Sequence, residues 1–580
     1  MLRRLFRWIV RTAITVAVLF AIVVISDYIS HRVQPNSVLA VKLDGPVVER
    51  GGTGLRSLLS IRETPLNVLR NAIDQGAKDP RIVGLEIKVI DPEMELAQAQ
   101  EIIALIKSFK SHGKWTTAYL ETAGESGLGN LPYVVASAAD EVSLMPRGDL
   151  NLMGVELREL FIRGTLDWLG ITPNFASAGQ YKSAANTFTN KDFTPAQKEE
   201  DEALAGNLFD QIVAAIGADR KLGPDAIKSL IDRAPLNADE SLKAHLVDRL
   251  EYEDEFSERA KHHGGTLHKV VEYANYARPS VFSSFAGGNQ IAVIYGEGEI
   301  QRDSEGFDPF SNPETTAMTA DDMAKAFRSA REDEDVRAVI LRVDSPGGSM
   351  LASELIGREV ERTAKKKPVV VSMSGYGASG GYLISIPAAK IVAEPGTITG
   401  SIGVLGGKFN VSPAMQKIYA NTGAASRGAN VGMFDMWSDF TPAQSKQFQD
   451  EIMRDYQYFL KLVAAGRHIS VEQADAVAQG RVWTGAQALN LKLVDSLGGL
   501  DEAMAAAKGL ARLAPDEPVG IIELPEQPGL LQTLSSGKLV GSIAQRPAAR
   551  VVEPVIELIH LALSGHAIFS AAYCPVVPML

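Results

Sequence analysis

The sequence of 580 residues predicts an α/β protein made of two copies of one domain behind an apolar N-terminal segment. The hexapeptide Asp-Phe-Thr-Pro-Ala-Gln occurs at 192–197 and again at 439–444. Leu-Val-Asp follows each hexapeptide at the same distance, at 246–248 and at 493–495. Each half also alternates strand-like apolar runs with stretches of helical spacing, which is typical of a parallel sheet with helical crossovers.

The first thirty residues have the pattern of a membrane anchor. Residues 8–26 are apolar apart from Arg11, two threonines and a serine, and they approach the roughly 20 residues that a membrane-spanning helix needs. Arginines before this run predict a cytoplasmic N-terminus, with the rest of the chain outside the cytoplasm. A cleaved signal peptide is the alternative, although 24–26 is a poor cleavage site. We therefore expect 1–30 to hold a cytoplasmic tip and an uncleaved transmembrane anchor.

Composition and charge exclude some classes of function. With 46% hydrophobic and 22% charged residues, the chain has the composition of an ordinary folded protein. A net charge of −12 argues against a nucleic-acid partner. The single cysteine, Cys574, excludes an intramolecular disulfide and a cysteine-based metal cluster.

Repeat and composition together set the expected domain bounds. The two copies are predicted at 37–280 and 288–510, on either side of a link rich in Ser and Gly. A strand, a helix and a strand are expected at 82–87, 95–110 and 115–119 in the first copy, and at 338–343, 352–365 and 368–373 in the second. Residues 511–580 form a tail of unknown role, in which the apolar stretch 555–573 predicts a packed or surface-lying helix.

Ser379 lies in a glycine-rich turn between an apolar strand and the start of a helix. Glycines let the chain turn sharply there, and the unpaired N–H groups of the helix would face whatever occupies the turn. This is a suitable position for a nucleophile whose attack creates an oxyanion. Gly347 and Gly348 follow another strand, and their amides could hold such an oxyanion together with the amide of Gly380. A plain strand-to-helix turn is the alternative interpretation.

The two copies differ at the positions where a site would lie. With an offset of 249 residues, Ser379 falls opposite Asn130. The Pro-Gly-Gly turn at 346–348 corresponds to a stretch near 90–93 that has no glycine. This divergence predicts one active centre for each pair of copies, unless it reflects drift in a structural duplicate.

A nucleophilic serine also needs a base. The histidines after Ser379 are His468, His560 and His566, and none follows a strand in the way expected of a catalytic histidine. A lysine can serve only when burial lowers its pKa, because a charged ammonium cannot accept a proton. Spacing alone does not indicate which lysine would serve.

Four motifs together resemble signal peptide peptidase A in its long, double-domain form. They are Gly-Tyr-Gly-Ala-Ser-Gly-Gly-Tyr at 375–382, Asp-Ser-Pro-Gly-Gly at 344–348, Thr-Gly-Ser-Ile-Gly at 399–403 and Tyr-Lys-Ser-Ala at 181–184. The resemblance covers roughly residues 1–510. It implies tandem duplicated Clp-protease/crotonase-like domains of α/β class after an N-terminal transmembrane helix, and a serine endopeptidase that needs no metal or organic cofactor.

Roles for individual residues also follow from this resemblance. They are a nucleophile at Ser379, a general base at Lys182, oxyanion-hole amides at Gly347 or Gly348 and at Gly380, and Ser401 as a residue that orients the lysine. The dyad would thus be split, with the lysine from the first copy and the serine from the second. An acidic residue that the family usually has near Asn186 is missing. The resemblance therefore does not indicate which groups surround Lys182.

The resemblance further implies a single-pass protein held in the inner membrane through residues 8–26, with its catalytic domains on the periplasmic side as a homotetramer. Its substrates would be apolar peptides, above all signal peptides already cleaved from exported proteins. An extended peptide would lie along a strand edge, where main-chain hydrogen bonds give loose sequence preference.

Two other functions fit parts of the sequence. Gly-Ala-Ser-Gly-Gly at 377–381 satisfies the G-x-S-x-G pattern of α/β-hydrolases, which would make the protein an esterase using Ser379, His468 and either Asp435 or Asp455. The second alternative is a non-catalytic membrane scaffold that only binds peptides. Loss of activity on changing Lys182, but not His468, would separate the dyad from the esterase.

Overall fold

The computed structural model describes residues 33–51, 63–125, 127–277, 288–302, 317–526 and 569–572. The expected N-terminal anchor, most of the link between the copies and most of the C-terminal tail lie outside these residues. Within the described ranges, no helix combines the length and the apolarity that a membrane crossing requires.

The first copy has the strand and helix order that its sequence predicts. Its strands are β1 Ser37–Val48, β2 Thr64–Pro65, β3 Ile82–Glu93, β4 Trp115–Leu120, β5 Glu141–Leu144, β6 Asp149–Leu150, β7 Thr172–Ala178, β8 Leu236–Asn237, β9 Arg249–Leu250 and β10 Lys269–Glu272. Its helices are α1 Leu66–Lys78, α2 Leu96–Ser111, α3 Asn130–Ser137, α4 Arg163–Leu169, α5 Asn186–Thr189, α6 Pro195–Arg220, α7 Pro224–Ile231, α8 Ala238–Lys243, α9 Glu253–Lys261 and α10 Tyr273–Tyr276.

The second copy repeats this plan. Its strands are β11 Gln290–Glu297, β12 Ile300–Gln301, β13 Met318–Thr319, β14 Val336–Ser345, β15 Gly348–Ser349, β16 Val369–Ala378, β17 Lys390–Ala393, β18 Ile398–Gly400, β19 Val404–Asn410, β20 Val482–Thr484, β21 Ser496–Leu497 and β22 Gly520–Leu524. Its helices are α11 Ala320–Glu332, α12 Met350–Ala364, α13 Gly380–Ser385, α14 Ser412–Lys417, α15 Pro442–Arg467, α16 Val471–Val477, α17 Gly485–Asn490 and α18 Leu500–Leu510. A last strand, β23, covers Phe569–Ala572.

Each copy is built on a mainly parallel sheet, in which the edge strand β20 of the second copy pairs antiparallel with β18. The first sheet has the strand order β10-β1-β3-β4-β5-β9, and all five of these pairings are parallel. The second has the order β20-β18-β16-β14-β11-β22, with β17 beside β16. Its edge strand β22 comes from residues 520–524, so this sheet continues into the part of the chain that the sequence left as a tail. Apolar strand residues such as Leu85 and Leu341 are fully buried, as expected where helices cover a parallel sheet.

The duplication extends to individual hydrogen bonds. The hydroxyl of Tyr133 donates to the carbonyl of Leu246 over 2.7 Å, and the hydroxyl of Tyr382 donates to the carbonyl of Leu493 over 2.8 Å. Both tyrosines lie in the helix that follows the central strand of their copy. Repeated sequence positions therefore make repeated contacts, which supports the assignment of two copies of one domain.

A third sheet joins the two copies. It has the order β13-β12-β15-β23-β19-β7, and β7 of the first copy pairs antiparallel with β19 over seven residue pairs, from Val404↔Ala178 to Asn410↔Thr172. Because β7 leads into the loop of Lys182, this pairing carries the loop to the second copy. The helix expected over 555–573 is wrong at 569–572, where the chain is the strand β23; the rest of that stretch lies outside the described residues.

A buried ionic cluster also links the copies. Arg342 is 1% exposed and forms ion pairs with Glu49 at 2.8 Å and Glu101 at 2.6 Å, both from the first copy. Its guanidinium also donates to the hydroxyls of Ser372 and Ser374. Burial alone would raise the pKa of Glu49, but the charge and hydrogen bonds of Arg342 outweigh it and hold that pKa below its usual value.

Arg342 compensates the burial of two other carboxyl groups around this cluster only in part. Burial, with repulsion from Glu49, raises the pKa of Asp344 to about 7. Burial, with repulsion from Glu101, raises the pKa of Glu394 to about 8, against an attraction by Arg342, and Oε1 of Glu394 has no hydrogen-bond partner. These two groups are therefore protonated in the folded protein at a pH where they are ionised in the unfolded chain.

The raised pKa of Glu394 makes the free energy of unfolding depend on pH. A carboxyl whose pKa is raised by folding contributes its stabilisation below its unfolded value of about 4.3, and that stabilisation is lost as pH rises through the folded value. We expect the free energy of unfolding to fall between about pH 5 and pH 8, and Glu394→Gln to make the fall smaller. Urea unfolding at several pH values measures this, with the exposed Glu332→Gln as control. An equal pH slope in Glu394→Gln and wild type would contradict it.

Candidate active site

Ser379 stands between the end of β16 and the first residue of α13, as its sequence predicts. Its backbone has φ 54° and ψ −112°, a conformation that side-chain-bearing residues rarely adopt. The conformation is fixed from both sides, since Ser379 N–H donates to the carbonyl of Gly400 and Leu383 N–H donates to the carbonyl of Ser379. Such strain at a turn is characteristic of functional positions.

The structure brings Lys182 of the first copy to this serine. Nζ of Lys182 lies 2.9 Å from Oγ of Ser379, and the lysine is buried. Two residues of the second copy hold the loop of Lys182. Tyr181 N–H donates to the carbonyl of Gln479. A Cβ on Gly480 would lie 2.5 Å from the backbone nitrogen of Lys182. Only a residue without a side chain therefore lets the loop of Lys182 pack this closely.

Ser401 completes the surroundings of the lysine amine. Its hydroxyl lies 3.0 Å from Nζ of Lys182, and its carbonyl oxygen lies 3.1 Å from the same atom. Ser401 has φ 50°, and its own N–H donates to the carbonyl of Arg481. The two oxygens of Ser401 can thus accept from the two N–H bonds of the uncharged amine, which directs its lone pair at the hydroxyl of Ser379.

The glycine turns lie directly beside Ser379. A Cβ on Gly380 would be 3.3 Å from Cα of Gly347, so the turn after β14 and the start of α13 touch each other. The N–H of Gly380 belongs to the first turn of α13 and has no acceptor within that helix. Gly347 N–H donates to Oγ of Ser345, which leaves Gly348 and Gly380 as the better candidates for an oxyanion hole. Gly348 has φ 146°, and a Cβ there would meet the carbonyl of Ile300 at 2.3 Å.

Near Lys182 lies a buried carboxyl group that the sequence analysis did not indicate. Glu200 of α6 accepts a hydrogen bond from Val482 N–H at 2.5 Å. Burial raises its pKa to about 8, against the effect of this hydrogen bond and weaker attractions by Arg481 and Lys182. No sequence motif marks Glu200. Asn186, where the family's acidic residue is absent, instead donates from its side chain to Oε1 of Gln197.

His468 does not take part in this site. It is exposed, and it is the left-handed residue that ends α15, just as Lys221 ends α6 in the first copy. Asp435 receives the N–H of Trp437 in its own loop. The triad required by the esterase alternative is therefore not assembled around Ser379. Among the described residues, no group of three or more His, Cys, Asp or Glu could hold a metal ion.

An extended segment already lies beside the site. β23 is antiparallel to both neighbours, with Gly348 paired to Ala572 and Leu405 paired to Ala571. The space between β15 and β19 therefore accepts a strand through main-chain hydrogen bonds, and one wall of it begins at a candidate oxyanion-hole glycine.

Comparison with known proteins identifies the family of this chain. The family model "Peptidase family S49" matches residues 108–266 and 361–514, one region in each copy. Serine protease SPPA, chloroplastic, of Arabidopsis thaliana is 30% identical over 514 residues, covering 87% of this chain and 74% of that protein. Protease 4 of Haemophilus influenzae is 32% identical, covering 77% and 73%, and Protease 4 of Salmonella typhi is 32% identical, covering 82% and 79%.

Similarity to solved structures is weaker. The membrane-bound stomatin-specific protease 1510-N is 15% identical with a TM-score of 0.27, over 42% of this chain and 100% of that chain, which is too low to support an argument. The chain belongs to peptidase family S49 in its double-domain form, and it is a serine protease.

Proposed function

We propose that this protein is a membrane-anchored serine endopeptidase with a Ser379/Lys182 dyad, which degrades released signal peptides and other apolar peptides at the outer face of the inner membrane. The observation that carries the proposal is the 2.9 Å contact between Nζ of Lys182 and Oγ of Ser379. The anchor would be residues 8–26, each copy would be a Clp-protease/crotonase-like domain, and the working assembly would be a homotetramer.

The geometry supports a simple sequence of proton transfers. Uncharged Lys182 takes the proton from Ser379 while Oγ attacks the peptide carbonyl. The oxyanion accepts hydrogen bonds from the amides of Gly348 and Gly380, and removal of one such donor typically costs about 10²–10³ in rate. Lys182 then gives its proton to the leaving amine, and afterwards activates the water that hydrolyses the acyl-enzyme. Ser401 keeps the amine in place through these steps.

A fluorophosphonate probe tests this function directly. Such probes modify activated serines, so we expect labelling at Ser379 in the wild type and none in Lys182→Met. Cleavage of an apolar peptide by the same samples should follow the labelling. Labelling at another residue, or peptide cleavage by a protein whose Ser379 is replaced by Ala, would contradict the proposed dyad.

Substrate binding is proposed to follow the path of β23. An incoming peptide would pair with β15 and β19 in the place where residues 569–572 now lie. When only a fraction of molecules has a free site, the apparent affinity falls by that fraction. Deletion of 569–580 should therefore lower KM several-fold and leave kcat unchanged. Deletion of 573–580, which keeps the strand, is the matched control and should behave as wild type; equal KM values in all three proteins would refute this binding path.

A further inference from the structure

The first copy keeps a cleft at the place where the second copy carries its nucleophile. The cleft has a volume of about 820 Å³ and is lined by the turns after β3 and β4, by residues 153–156 and by the end of β16. With the offset of 249 residues, 124–130 corresponds to the turn of Ser379, and Gly154 corresponds to Gly403. The cleft is thus the first copy's counterpart of the active site.

Its chemistry differs from that of the active site. Asn130 occupies the position equivalent to Ser379, is fully buried, and donates through Nδ2 to the carbonyl of Gly154 over 2.6 Å. No serine hydroxyl is presented at that position, so the cleft has no nucleophile there.

The lining of the cleft indicates what it would bind. Its acidic residues are Asp91, Glu93, Glu95 and Glu156, and no lysine, arginine or histidine of the described residues lines it. Its walls are otherwise mainly apolar, with side chains such as Met94, Leu128, Leu131, Met153 and Val155. An acidic rim around apolar walls complements a ligand that is both cationic and apolar.

Glu95 is the carboxyl that most needs a partner. Its Oε2 is buried without a hydrogen-bond partner and lies so close to Gly375 that a Cβ on that glycine would overlap it. Arg342, the cation nearby, is already paired with Glu49 and Glu101. Burial and repulsion from Asp344 and Glu49 raise the pKa of Glu95 well above its usual value. A cationic group entering the cleft would lower this pKa and favour the ionised form of Glu95.

The cleft and the nucleophile are close together. Gly375 and Tyr376 line the cleft, and Ser379 is three residues beyond Tyr376 on the same chain. Consecutive Cα atoms are 3.80 Å apart, so Tyr376 and Ser379 are separated by at most about 11 Å. A peptide with about four extended residues is long enough to span this distance.

We propose that the cleft of the first copy is a non-catalytic subsite that binds the lysine- or arginine-containing segment of the same apolar peptides that Ser379 cleaves. This inference rests on the proposed function. Signal peptides have the required composition, since a positively charged segment precedes their apolar run. The subsite would favour such peptides over equally apolar peptides without a cationic residue.

Blocking the cleft tests the subsite. Two fluorogenic substrates are compared: a long peptide with two lysines before an apolar run, and a short neutral apolar peptide that cannot reach the cleft. A Cβ on Gly127 would meet no atom within 4 Å, so Gly127→Trp can place a large side chain in the cleft. We expect its KM for the long peptide to rise about tenfold, a loss equivalent to 1.4 kcal/mol, with unchanged kcat. Gly127→Trp should cleave the short peptide as wild type does. The control is Gly509→Trp, at another glycine with open space around it, and it should cleave both peptides as wild type does.

Charge removal gives a second, independent measurement. Glu156 already pairs with Arg158 at 2.7 Å, so the variant uses Asp91 and Glu93 instead. Both are exposed, and the double variant Asp91→Asn/Glu93→Gln should fold normally. It should raise KM for the lysine peptide about two- to fivefold, as expected for exposed charge pairs, and leave KM unchanged when glutamines replace the lysines.

These outcomes separate the two proposals. If wild type cleaves neither peptide, the proposed function is wrong. If wild type cleaves both peptides, and the double variant changes KM equally for the lysine and the glutamine peptide, the subsite is wrong. A photo-reactive lysine peptide bound to Ser379→Ala protein should cross-link within 91–96 or 127–132, and cross-links found only elsewhere would also overturn the subsite.

Discussion

Replacing Ser379 by alanine or Lys182 by methionine is expected to reduce kcat for peptide hydrolysis by about 10⁴-fold or more, the loss typical of nucleophile–base units. The two side chains meet at 2.9 Å, so each is ineffective without the other. The double variant should therefore be no less active than the worse single variant. Initial rates on a fluorogenic apolar peptide measure this, at protein concentrations that reveal the residual rate.

His468→Ala is the matched control for the dyad. His468 is the exposed end residue of α15, so its loss should leave kcat within about twofold of wild type, as is usual for surface positions. Lys182→Arg is a further test, because a guanidinium stays charged and cannot act as a base. Substantial activity in Lys182→Arg or Lys182→Met would end the dyad mechanism, whereas loss of activity in His468→Ala would favour the esterase alternative.

Replacing Arg342 by methionine is expected to lower the free energy of unfolding by about 3–5 kcal/mol. The change leaves Glu49 and Glu101 buried without their partner, and removal of one member of a buried ion pair costs this much because the other charge stays uncompensated. Since both carboxylates belong to the first copy and Arg342 to the second, contact between the copies should weaken first. Urea unfolding, followed by circular dichroism, measures the loss.

Arg358→Met serves as the control for Arg342. Arg358 pairs with Glu361 at the surface of α12, and its removal should change the free energy of unfolding by less than about 0.5 kcal/mol. A triple variant, Arg342→Met with Glu49→Gln and Glu101→Gln, removes the stranded charges and should recover part of the stability. If Arg342→Met unfolds at the same urea concentration as Arg358→Met, the cluster does not hold the copies together.

The architecture could be predicted from sequence because its signals are local. The repeated hexapeptide and Leu-Val-Asp mark two copies, and the structure repeats the hydrogen bonds of Tyr133 and Tyr382 accordingly. Apolar runs and helical spacing located the strands around Ser379 and the helices that follow them. The glycine turn of Ser379 could be predicted because the strand, the turn and the start of the helix are contiguous in the chain.

The prediction for residues 569–572 of the C-terminal tail was wrong. The apolar character of 555–573 predicted a helix there, yet residues 569–572 form a strand between β15 and β19. Two neighbouring strands offer main-chain hydrogen bonds on both sides, and this tertiary context overrides local preference. Nothing in the sequence of the tail identifies those partners.

The sequence by itself determined the α/β class, the duplication and the strand-to-helix turn that presents Ser379, since each depends on residues near one another in the chain. The motif resemblance named Lys182 as the partner of that serine, but only the tertiary structure showed how the two side chains meet. Lys182 lies 197 positions away and reaches Ser379 because β7 crosses to pair with β19 and because the loop of Gly480 leaves room for it. Arg342 meets Glu49 and Glu101, and the first copy keeps a cleft, for the same reason: contacts between distant segments are set by packing, which no local pattern records.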